Sequence, residues 1–224
     1  MLFTVTLVFV LEHIHERKFL SLFGSTNIIR WRRVRDGFVV YFSILTITFS
    51  FFYLLNPSRY KLSFVLSHWI VSLPFSFLLS GILALILCFL FYGYFLQGFS
   101  SFIKKPLRLM FCYGIIIATL RLILSSEPNP LQWINIIFFA LFTVGITLKD
   151  EGFELLLGLF TARGFFLSAI LQNSSNELQT PAIFIREATT DFSLINLLVF
   201  IAQLGLFYYI CFSVIQGKST NSVD

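Results

Sequence analysis

A multi-pass bundle of transmembrane α-helices, about six spans with an N-terminal amphipathic or interfacial segment, is the all-α fold class that this sequence predicts. Three observations predict it. Of 224 residues, 57% are hydrophobic and 12% charged, against about 25% charged in a typical soluble domain. The apolar residues come in long runs rather than one-sided stripes, with a mean hydropathy of +0.86, as membrane spans require. The Lys and Arg residues between the runs alternate from side to side. By composition, the chain divides into an interfacial segment with a basic juxtamembrane cluster (1–37), a helical bundle (38–216) and a tail expected to be disordered (217–224).

The opening "MLFTVTLVFVLEHIHERKF" has an apolar run of about 11 residues, too short to span. It lacks a basic leader and a small-residue cleavage site, so it reads as an interfacial anchor or a helix packed on the bundle, not a signal peptide. His13 and His15 of "EHIHE" would point about 160° apart on a helix, so no metal site is expected there. "RWRRVRD" places Arg30, Arg32, Arg33 and Arg35 directly before the first span. With Lys104 and Lys105, they are expected to face anionic lipid headgroups rather than nucleic acid.

The first span reads as about 38 to 55, stopped by Asn56-Pro57. The run 62 to 97 is too long for one helix, and Pro74 suggests a split into an interfacial piece and a span from about 75 to 97. A third span opens at Pro106 and runs to about 125, with proline at an N1-like position. A fourth follows the turn "SSEPNP", from about 131 to 148. A fifth runs from about 152 to 172, and a sixth from about 193 to 215 with Asp191 or Ser193 as N-cap. Arg17, Lys18, the arginine cluster, Lys104, Lys105, Arg108, Lys149 and Lys218 then fall on one side, against Arg59, Lys61 and Arg186 on the other. The short-loop bias puts both termini on the cytoplasmic or equivalent side.

Several polar residues are out of place in such runs. Arg163 stands near the middle of "LLLGLFTARGFFLSAIL", and a charge in hydrocarbon is costly enough to mark a function, a contact or a snorkelling side chain. At about 100° per residue, Glu154, Gly158, Thr161, Ala162, Ser168 and Ala169 share one small-residue packing face, and Arg163 lies opposite among Leu156, Leu159 and Phe160. Glu154 therefore cannot be its partner within the helix. The readings are a partner helix or subunit, a re-entrant break at "TARG", or snorkelling. Arg121 shares a face with Gly114 and Ala118, within reach of Glu127 or Asp191. Asn196 and Gln203 are seven apart and share a face, as helix glue or as the lining of a polar path.

"KDEGFE" gathers Lys149, Asp150, Glu151 and Glu154 where a helix begins, and carboxylates there complement its dipole. Cys88, Cys112 and Cys211 are far apart inside apolar runs, so neither a disulfide framework nor a metal site is indicated. There is no Walker A, HExxH or GxSxG pattern, and no cofactor is expected. Three functions remain in view. The first is a non-enzymatic subunit of a membrane complex, with the bilayer and other membrane proteins as partners. The second is a transporter or channel component with Arg121, Arg163, Glu154, Asn196 and Gln203 on a path or an inter-subunit contact. The third is a membrane-embedded enzyme acting on a lipid-linked substrate through Asp150, Glu151 and Glu154.

Overall fold

A computed structural model describes residues 29–124, 129–173, 181–186 and 193–215. The apolar N-terminal run, the "EHIHE" stretch, Glu127, Asp191 and the C-terminal tail lie outside the described residues.

Among the described residues there are six helices. They are α1 (Trp31–Leu55), α2 (Leu66–Phe102), α3 (Pro106–Leu124), α4 (Pro130–Asp150), α5 (Glu154–Ala169) and α6 (Leu194–Ile215). All but α5 are long and apolar enough to cross a membrane. The fold is thus an all-α, multi-pass helix bundle. Local chemistry sets several boundaries. Asn129 accepts a hydrogen bond from the Leu131 amide ahead of Pro130, and Ser193 accepts one from Asn196 N, so each satisfies a donor that the helix start would orphan. Glu151, at φ 54°, takes the left-handed conformation that ends α4.

Three expectations need correction. The helix α1 starts at Trp31, about two turns before residue 38, so Arg32, Arg33 and Arg35 lie in the first turns of the span, with Arg30 at its cap, rather than ahead of it. The run after residue 62 does not split at Pro74, which lies inside a continuous helix. Proline removes one backbone donor, whereas a break in an apolar run would orphan several backbone groups at membrane depth. The fifth span is not a lipid-facing span either. With 16 residues, α5 is shorter than the roughly 20 that a span needs, and eleven of the 16 are buried.

The two ends of the bundle differ. At one, the charged end, α1 begins, α4 ends and α5 begins. At the other, a small sheet orders β1 (Tyr60–Leu62), β3 (Phe184–Arg186) and β2 (Leu171–Asn173), with β3 in the middle. Tyr60 pairs antiparallel with Arg186, and Leu171 pairs parallel with Phe184. The Trp69 indole donates to the Ala169 carbonyl at 2.8 Å, tying α2 to the end of α5.

Centrally, α5 crosses α1 with almost no space between backbones. A Cβ at Gly158 would sit 2.1 Å from the Val34 carbonyl oxygen, and one at Gly37 would sit 2.3 Å from that of Leu155. The small-residue face of α5 is used here, and Gly37 on α1 supplies the matching gap. Thr161 and Gly164 continue the close packing against Gly81 and Ser80 of α2.

Candidate functional site

Four helices bring polar side chains together beside the Phe139 ring. From α5 come Phe160 and Arg163, one turn apart on one face. From α4 come Phe139 and Thr143, and from α3 comes Arg121. The Arg121 guanidinium carbon lies 5.1 Å from the Phe139 ring centroid and 5.8 Å from that of Phe160. The Arg163 guanidinium carbon also lies 5.1 Å from the Phe139 centroid. Two cations therefore share one aromatic ring.

From α2 comes Tyr92, buried, within a π-helical stretch, Cys88–Phe95. The wider turn leaves backbone groups out of α-helical register, as at many functional sites. One of them, the Phe91 carbonyl, accepts from the Tyr113 hydroxyl of α3 at 2.5 Å. The hydroxyls of Tyr92 and Thr143 are 2.9 Å apart. Thr143 donates its one proton to the backbone, with the Phe139 and Ala140 carbonyls each at 2.9 Å. Tyr92 is then the donor to Thr143, and its oxygen is left as an acceptor.

Each guanidinium gains roughly 0.5–2 kcal/mol from the ring face. Because both lie 5.1 Å from the same centroid, their separation cannot exceed twice that distance. At an effective dielectric of about 20, their repulsion then costs at least roughly 1.6 kcal/mol. No carboxylate among the described residues forms an ion pair with either arginine. The result is a spot of concentrated positive potential with a hydroxyl acceptor beside it and apolar walls around it. Arg121 stands one turn from the end of α3, and Arg163 is half-buried in an unbroken helix.

Asn196 and Gln203 are half-buried on α6. They share a face with Phe200, whose ring lies 5.7 Å from that of Phe139. They stand on the same side of α6 as the paired arginines. Glu154 does not join them, because it lies nine residues, about 13 Å along the axis, from Arg163.

Glu154 belongs instead to a second cluster at the charged end. Arg30 grips it through Nε to Oε1 at 3.1 Å and Nη2 to Oε2 at 2.7 Å. Arg30 also reaches Asp150 Oδ2 at 3.0 Å and its carbonyl at 2.9 Å. Arg33 lies 2.8 Å from Asp150 Oδ1. The bond to Glu154 is the main cause that holds the Arg30 guanidinium above its ordinary value. Lys149 meets the Tyr208 hydroxyl and sits over the Tyr208 and Phe212 rings, at 4.3 and 4.7 Å.

The six cations expected at headgroups therefore divide. Arg32, Arg35, Lys104 and Lys105 are exposed. Arg30 and Arg33 turn inward because two carboxylates without them would be buried uncompensated. Of the acidic trio considered for lipid chemistry, Asp150 and Glu154 are held by these arginines, and Glu151 is exposed on the left-handed turn. Among the described residues, no group of three His, Cys, Asp or Glu side chains could hold a metal.

Sequence reasoning singled out Arg121 and Arg163 but missed Tyr92, Phe139 and Thr143. Tyr92 carried a signal, since it lies deep in an apolar run where tyrosine is less at home than at the interface. Nothing in the sequence pairs Arg30 with residues 120 and more positions away.

No family model matches the chain, and no solved structure matches it. It is similar to the uncharacterized protein YyaK of Bacillus subtilis (strain 168), at 25% identity over 164 residues. That stretch is 72% of this chain and 55% of YyaK, so the chain spans about half the length of the curated relative it matches.

Proposed function

We propose that this membrane protein binds an anionic group inside the bundle, at the Arg121–Arg163 centre, and handles it as part of transport across or within the membrane. One observation carries the reading: two guanidiniums share the Phe139 ring, and neither has an ion pair among the described residues. Intramembrane charges face cavities, partners or substrates. The ring faces offset a repulsion of similar size, and an anion between the two would add attraction to both.

A role as subunit of a larger complex drew on Arg163 needing a partner from another chain. Here Phe139 of the same chain receives it, so the transport reading needs no second chain to complete the site. By the Lys/Arg bias, the charged end is assigned to the cytoplasmic side.

The test is anion-dependent stabilisation of the purified protein in mild detergent. Wild type, Arg121→Gln and Arg163→Gln would be melted against chloride, acetate, sulfate and phosphate at matched ionic strength, with an uncharged solute as control. A ligand that binds only the folded state raises the melting temperature in proportion to ln(1 + [L]/Kd). The expected result is a concentration-dependent rise for at least one anion in wild type, and its loss in both variants. A rise that is the same in all three proteins, or absent from all, overturns the reading.

A further inference from the structure

We infer that the ligand of the Arg121–Arg163 centre is a doubly charged phosphoryl group, a phosphomonoester or phosphate itself. This rests on the anion-binding reading above and specifies its chemistry. Two arginines bring two positive charges and five N–H donors each, in rigid planar forks. A carboxylate brings one charge and two oxygens, enough for one fork. A phosphomonoester carries about −1.5 to −2 charges at neutral pH and three strong acceptor oxygens. It can therefore neutralise both guanidiniums and accept from both forks.

The surroundings fit that ligand. The Phe139 ring holds the two cations on one support, 5.1 Å each from its centroid, so they stand no more than twice that distance apart. Arg121 stands one turn from the sheet end of α3, a depth that both a lipid headgroup and a phosphate from solution can reach. The two sources share one chemistry, and the experiment separates them.

Binding would be read as the midpoint of thermal stabilisation. The soluble probes are glycerol phosphate, inorganic phosphate, acetate and a phosphodiester, in detergent. Nanodiscs containing phosphatidate, a phosphomonoester lipid, would be compared with nanodiscs containing phosphatidylglycerol, a phosphodiester lipid. Arg121→Lys and Arg163→Lys keep each charge but lose the fork, which guards against variants that merely fail to fold.

The expected result is that phosphomonoester or phosphate binds wild type at least about tenfold tighter than acetate or the phosphodiester. Either lysine variant should lose most of that preference while keeping its unliganded melting temperature. Preference among the soluble probes identifies a phosphate from solution. Preference for phosphatidate over phosphatidylglycerol alone identifies a headgroup. Equal binding of acetate and phosphomonoester overturns this inference and leaves the anion reading standing. If no anion separates wild type from variants, both fail.

Discussion

Asp150 and Glu154 have side chains 0% and 1% exposed, and charges so placed are tolerated only when paired and hydrogen-bonded. Arg30 and Arg33 meet that need at the corner where α4 turns into α5. Removing one partner of a buried pair costs about 3–5 kcal/mol because the other is left uncompensated. The Arg30 side chain is 32% exposed, so solvent screens part of that and the low end applies, about 3 kcal/mol. Arg30→Met is therefore expected to lower the melting temperature sharply. The double variant Arg30→Met/Glu154→Met should recover a substantial part, with a coupling of roughly 1–3 kcal/mol. If the single losses simply add in the double variant, the pair is not coupled as described. The guanidinium value is raised by Glu154. Such a contribution is fully present below the unfolded value and is lost only as pH rises through the folded one. The Arg30→Met loss should then be the same at about pH 7 and about pH 9.

Among the elements, α5 decides the architecture, and two kinds of glycine test this. Gly158 has the Val34 carbonyl oxygen 2.1 Å and the Phe38 amide nitrogen 2.6 Å from where its Cβ would be. Both are backbone atoms that no side-chain rotation can move aside, so Gly158→Ala must part α1 from α5. The cost is expected to exceed the usual 1–3 kcal/mol of overpacking. Gly205 on α6 has nothing within 4 Å of its Cβ position. Gly205→Ala is expected to be neutral or to stabilise by up to about 1 kcal/mol. Comparable losses at the two positions, measured by thermal unfolding in detergent, would contradict the crossing. The small face of α5 was legible because helical geometry alone places Gly158, Thr161 and Ala162 together. Its partner Gly37 was not, since a lone glycine in an apolar run points to no particular neighbour. The sheet was not legible either, because three-residue strands give no usable alternation. The π-helical stretch around Tyr92 has no sequence signature beyond a misplaced tyrosine. Arg121 and Arg163 stood out one at a time, but their convergence on Phe139 depends on how three helices pack.

For the molecule as a whole, composition and charge alternation sufficed to give the bundle, because hydrocarbon admits few alternatives to helices. The pairing of its ends came from long-range contacts. Arg30 meets Asp150 and Glu154, and Arg33 reaches the Cys211 carbonyl at 3.4 Å, so the starts of α1 and α5 and the ends of α4 and α6 share one end. Tyr60 pairs with Arg186 at the other. The 16 residues of α5 rise about 24 Å, less than a full bilayer, yet they return the chain from the charged end to the sheet end. Single-cysteine labelling checks that return. Cys88, Cys112 and Cys211 would be replaced, and one cysteine placed at Lys105, Glu151, Arg59 or Arg186, all exposed. A membrane-impermeant thiol reagent would then be applied to intact cells. The positions 105 and 151 are expected to be protected together, and 59 and 186 to react together. If 151 reacts with 186, α5 does not carry the chain across, the ends of the bundle are not separated by the membrane, and the paired arginines lie at one surface rather than within it.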